Sequence, residues 1–154
     1  MNSANAQWVQ AVTPVAIVNG ASWTGAVIDT RGFAYAELCV LLGALDIALT
    51  ALEVHESDAS GSGFAAVTGL VFGTSTNSAG STSTLPAATD DGKNLLFNID
   101  LKGRKRYIKL VATIGSGSAG GYLAAVARLS RADVTPISAT GMGASQVLQA
   151  PTYA

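Results

Sequence analysis

The sequence predicts an all-β domain, and three observations carry that prediction. Two runs alternate with the period of two that a half-buried strand requires. In one, Leu95, Phe97 and Ile99 oppose Leu96, Asn98 and Asp100; in the other, Ile108, Leu110, Ala112 and Ile114 oppose Tyr107, Lys109, Val111 and Thr113. Turn formers punctuate the chain at Asn19-Gly20, from Ser57 to Gly63 and from Gly115 to Gly121. A length of 154 residues suits one domain with a proper core.

The elements follow in order. Residues 1–25 read as an N-terminal arm or edge strand, because Pro14 interrupts the apolar stretch from Val9 to Val18. Val27 to Gly32 reads as a short strand that ends in a turn. The stretch from Phe33 to Glu56 has two readings. Leu38, Leu41, Leu42, Leu45, Leu49 and Leu52 recur at helical spacing, whereas Gly43, Tyr35, Val40, Thr50 and Val54 suit a helix poorly. The alternative is a hairpin of Ala34 to Leu42 and Ile47 to Glu56 around a turn at residues 43–46, and it is preferred. From Thr68 to Gly92 the chain reads as a long polar loop anchored by Leu70-Val71-Phe72, a surface excursion touching a neighbour. Arg106 to Ile114 and Tyr122 to Leu129, joined by a Gly-rich connection, read as a second hairpin. Residues 133–154 have no charge beyond Asp133 and little pattern, so they read as an arm that orders against a partner.

Composition narrows the function. The chain is 49% hydrophobic and only 12% charged, against about a quarter charged in an average soluble domain. A membrane span does not account for this, since Glu37, Asp46 and Glu53 interrupt the longest apolar run. The N-terminus has no basic start and no apolar core, so no secretory signal is expected. A net charge of −1 disfavours nucleic acid as a direct partner. Obligate association remains as the explanation. Cys39, the single cysteine, reads as a small buried hydrophobe.

The residues offer little for chemistry. His55 lies among Glu53, Glu56 and Asp58, but the spacing matches no metal-ligand loop, and it reads as an outward strand position. No Gly-x-Ser-x-Gly stands between a strand and a helix, Gly61-Ser62-Gly63 and Gly115-Ser116-Gly117-Ser118 read as linkers, and Gly141-Met142-Gly143-Ala144-Ser145 has no strand before it, so no phosphate loop is expected. No catalytic residue, metal or cofactor is therefore expected. The one dense charge feature runs from Asp100 to Lys109 and holds Lys102, Arg104, Lys105, Arg106 and Lys109 beside Tyr107, five of the nine Lys and Arg residues. It reads as a solvated turn that blocks edge pairing, as a contact for an acidic neighbour, or as a nucleic-acid contact.

Four segments carry a resemblance: Ile28-Asp29-Thr30-Arg31-Gly32-Phe33, Leu49 to Asp58, Asn98 to Lys109, and Ala124 to Arg131. Together, over about residues 26–132, the chain is similar to tailed-bacteriophage capsid decoration (cement) proteins. The most specific pieces are the Glu56-Ser57-Asp58 ending of one strand and the Asp100-Leu101-Lys102-Gly103-Arg104-Lys105-Arg106-Tyr107 segment. The resemblance implies an antiparallel β-sandwich, jelly-roll-like, with extended N- and C-terminal arms. It implies a homotrimer on the outer capsid surface of the virion, partnered by the major capsid protein, and it favours strands for residues 33–56. Trp8, Trp23, Lys102, Arg104, Lys105, Arg106, Tyr107 and Lys109 become candidate interface residues. Two other readings stay open: another virion β-protein (head fibre, tail tube or tail-tip component), or a carbohydrate-binding β-sandwich with Trp8, Trp23, Tyr35 and Tyr122 as stacking rings.

Replacing Arg104, Lys105 and Arg106 together with Ala is expected to weaken trimerisation or capsid attachment, read by light scattering and cosedimentation. If both survive unchanged, the cluster is a solvated turn.

Overall fold

The computed structural model of the chain describes residues 5–14, 16–134, 139–146 and 148. The strands are β1 (Ala6–Val12), β2 (Ser22–Trp23), β3 (Ile28–Asp29), β4 (Phe33–Leu45), β5 (Leu49–Ser57), β6 (Ala65–Val71), β7 (Asn94–Asp100), β8 (Tyr107–Ile114) and β9 (Gly121–Ala132). They form two sheets, and every pairing is antiparallel. Sheet A has the order β1-β9-β4-β7 and sheet B the order β2-β8-β5-β6, with β3 also on β8.

β2 and β3 are two pieces of one broken strand, pairing with opposite ends of β8 (Trp23 with Ala112, Ile28 with Ile108). Counted as one, they leave eight strands in two four-stranded sheets wound as a jelly roll. The break has a local cause. The backbone of Gly25 runs so close to the Leu110 carbonyl oxygen that a Cβ there would collide with it. Next to it, Ala26 N–H donates to the Ala11 carbonyl of β1 at 2.8 Å, tying the broken strand to the edge of the other sheet.

The core lies between the inner faces. Leu38, Val40, Leu123 and Leu129 of sheet A meet Leu52, Val54, Ile108 and Leu110 of sheet B, all essentially fully buried. Alternation along each strand places these side chains inward, and sheets packed about 10 Å apart interdigitate them.

Residues 33–56 are strands, not a helix, but they are not a hairpin. β4 lies in sheet A and β5 in sheet B, and the second expected hairpin is split likewise, with β8 in sheet B and β9 in sheet A. At each connection the chain crosses the core, so that Leu42 and Leu45 face Leu49 and Leu52 as parts of one apolar cluster. Two alternating runs around a Gly-containing turn fit a hairpin and a crossing equally well, and only burial of both inner faces selects the crossing. β5 pairs instead with β8 on one side and β6 on the other, the latter through Glu53–Val71 and Glu56–Ala65. β6 carries one buried residue, Val67, too few for a pattern.

The loop from 72 to 93 is folded upon itself. Asn77 Oδ1 accepts from the N–H groups of Ala79 and Ser81, and Ser83 Oγ donates to the Ser75 carbonyl at 2.7 Å. Part of the tail also packs within the chain: Trp8 N–H donates to the Met142 carbonyl at 2.8 Å, and Met142 is buried. This differs from an arm that orders only against a partner. The terminal-arm readings for 1–4, 15, 135–138, 147 and 149–154 lie outside the described residues.

One carboxylate locks two crossings together. Asp46, between β4 and β5, accepts from the N–H groups of Ala119 and Gly120 and from Ser118 Oγ, all between β8 and β9. Gly120 has φ 86°, and a Cβ there would strike the Val18 carbonyl, so the loop needs glycine at that point. Chiefly the Ala119 N–H bond, with help from Ser118 and Gly120, holds the Asp46 carboxyl below the ordinary carboxylate range. A depressed folded-state pKa contributes stability that is present above the unfolded value and lost as pH falls through the folded one. Asp46→Asn is therefore expected to lower Tm at pH 7, with the gap from wild type closing below about pH 4 in a thermal-melt series. A gap that stays constant to pH 2 contradicts the latch.

Candidate interaction surfaces

The basic segment forms one end of the sandwich, where the 101–106 turn enters β8. Acids of other elements meet it there. Arg106 grips Asp29 of β3 with both arms of its guanidinium, Nε to Oδ1 at 2.9 Å and a terminal nitrogen to Oδ2 at 2.6 Å. That fork lowers the Asp29 carboxyl pKa and raises that of the guanidinium. Arg104 stands 3.6 Å from Glu56, whose carboxylate also accepts the Lys105 N–H, and Lys105 Nζ stands 3.6 Å from Asp58. The Arg106 guanidinium also lies over the Tyr107 ring at 4.8 Å, and Lys109 Nζ over Phe64 at 4.5 Å. Of the predicted cations, Lys102 alone has neither an ion pair nor a ring contact among the described residues. Three of the five cations are thus matched by three acids, so most of the positive charge at this end is answered within the chain.

The two tryptophans separate. Trp23 is 6% exposed in the core, its Nε1–H without a partner, so it is available neither to a docking protein nor to a sugar ring. Trp8 lies 44% exposed on the outer face of sheet A, with the Arg128 guanidinium 5.9 Å above it. Cys39 is half-buried on that same outer face, outside the core expected for it.

The two outer faces differ in kind. On sheet B, register brings Lys109 beside His55 and Val111 beside Glu53, with Ser22 Oγ and Thr113 Oγ1 in a 2.7 Å hydrogen bond. His55 Nε2 and Glu53 Oε1 are 2.7 Å apart, and no group of three or more His, Cys, Asp or Glu among the described residues could hold a metal. On sheet A, one row reads Gln10–Val126–Cys39–Leu96 across all four strands, and beside it Leu41 pairs with Ala124. Leu41, Leu96 and Tyr122 are 43%, 54% and 47% exposed. The neighbouring row, Trp8–Arg128–Glu37–Asn98, contains one acid and one base, bonded to each other at 2.8 Å.

Of this apolar face, the sequence singles out Trp8 as an interface residue and Tyr122 as a stacking ring, but not Leu41, Leu96, Val126 or Cys39. Its signal is there, however: Leu41-Leu42 and Leu95-Leu96 are apolar in both phases, as in strands covered on both sides. A groove of about 410 Å³ opens between β6 and β7, floored by Leu70, Phe72 and Phe97 and rimmed by Ser75, Asn77 and Asn98. Phe72 and Phe97 meet edge to face at 5.2 Å, and no titratable side chain lines the groove.

No protein-family model, curated protein or solved structure matches the chain. No helix among the described residues is long and apolar enough to cross a membrane.

Trp23→Phe removes an orphaned buried N–H at the cost of some packing, so the two effects offset to within about 1 kcal/mol in urea unfolding. Association is expected to be unchanged; its loss would return Trp23 to an interface.

Proposed function

We propose that the chain is a structural virion protein that binds the outer capsid surface as a trimer and stabilises a phage head. The observation that carries this reading is the uncompensated apolar outer face of sheet A, on a chain with only 12% charged residues. Contiguous apolar patches of this sort mark association surfaces in water-exposed domains. The segments behind the resemblance are also coherent in space. The Glu56-Ser57-Asp58 strand end and the Arg104-Lys105 turn meet through both of their ion pairs. A trimer bridging several capsomers would turn modest contacts into firm attachment through effective concentration.

Light scattering on the purified chain is expected to give three times the 15.5 kDa chain mass. Added to heads that lack it, the protein should raise the temperature at which they release DNA. A monomer that leaves heads unprotected contradicts the proposal.

A further inference from the structure

The geometry points to the outer face of sheet A as the surface through which copies of this chain associate. This rests on the trimer reading above and names the face that builds it. The occupant is a second copy, for two reasons.

The first is charge. The one acid and one base in the central rows, Glu37 and Arg128, neutralise each other, and Arg128 also covers Trp8. The central rows of two such faces meet without like-charge repulsion, and the other charges of the face, Asp100 beside Tyr35 and Arg131 over the Tyr35 ring, lie at the end away from Leu41 and Tyr122.

The second is area. Trp8, Leu41, Leu96 and Tyr122 each leave roughly half their surface in water. With about 150–250 Å² for a large side chain, these four expose about 300–400 Å² together. The half-buried Cys39 and Val126 add to it. That is about half of the roughly 800 Å² each partner contributes to a specific interface, and it reaches across the sheet from the β1 edge to the β7 edge. The outer face of sheet B, with Lys109, His55 and Glu53, has no such patch.

A ring of three uses a face of this kind head to tail. The β1–β9 half, with Trp8, Val126 and Tyr122, packs on the β4–β7 half of the next copy, with Leu41, Cys39 and Leu96. The ring closes, so every copy is covered on both halves.

Two measurements test this on the full chain. Leu96→Lys and Val126→Glu, made singly, place a charge on opposite halves, and Val111→Lys places one on sheet B. The sheet A variants are expected to weaken association by about a hundredfold or more, the sheet B variant to leave it unchanged, all read by light scattering across a dilution series. The second measurement needs no variant: maleimide labelling of Cys39 in the wild-type chain should slow by about tenfold or more between the dilute and the fully associated protein. A trimer whose Cys39 labels at one rate throughout, or that survives both sheet A charges, overturns the inference while leaving the trimer reading intact. Trimers that persist but no longer bind heads would make this the shell-facing surface instead. A wild-type chain that is monomeric at every concentration removes the trimer reading, and this inference with it.

Discussion

Everything in this fold depends on one packing constraint: two sheets must bury their inner faces against each other along nearly the full length of β4, β5, β8 and β9. Leu38, Val40, Leu52, Val54, Leu110 and Leu129 meet in that layer with almost no exposed surface. Truncating any of these leucines to Ala removes its transfer free energy and leaves a cavity, a cost of about 2–5 kcal/mol. The layer fills only if the chain crosses it repeatedly, and the loops are shaped by those crossings. Asp46 fastens two crossings at one end, and Arg106 with Asp29 fastens β8 to β3 at the other. The second is a forked pair more than 40% exposed on both sides, so water and salt both weaken it.

With its inner faces satisfied, the sandwich has two outer faces to offer, and they are not alike. Sheet B presents charged and hydroxyl side chains that water solvates well. Sheet A presents Leu41, Leu96, Val126, Cys39, Trp8 and Tyr122 around the Glu37–Arg128 pair, with Gln10, Asn94 and Asn98 at its edges and Asp100 and Arg131 at one end. Such asymmetry explains how a chain can be so poor in charge and still have a polar end and a polar side. It also shifts attention from the basic turn, which is matched by acids of its own chain, to a face built from outward positions of four strands.

Much of the fold was legible in the sequence. The strands β7 and β8 were readable from alternation within a residue or so, because each has polar or small residues opposite its core set. The residues of β4 and β5 were readable as strands, but their pairing was not, because a crossing and a hairpin share the same local pattern. β6 went unassigned, since Val67 is its one buried side chain. The candidate site was less legible. The conspicuous residues, two tryptophans and a run of cations, drew the interface reading. Trp23 proved to be core, and three of the cations proved to be paired at home. Tyr122 was noted only as a ring for a sugar, and Leu41 and Leu96 only as parts of a pattern, because an outward leucine is indistinguishable from an inward one until the register is known.

The central claim is that this is an assembly protein whose apolar sheet face is covered by its own copies on a capsid. A cryo-EM reconstruction of heads that contain the chain tests it most directly. The account predicts trimeric density on the outer shell, with the β1-β9-β4-β7 faces turned toward one another around the threefold axis. Heads without that density, or single copies with this face open to solvent, would contradict it.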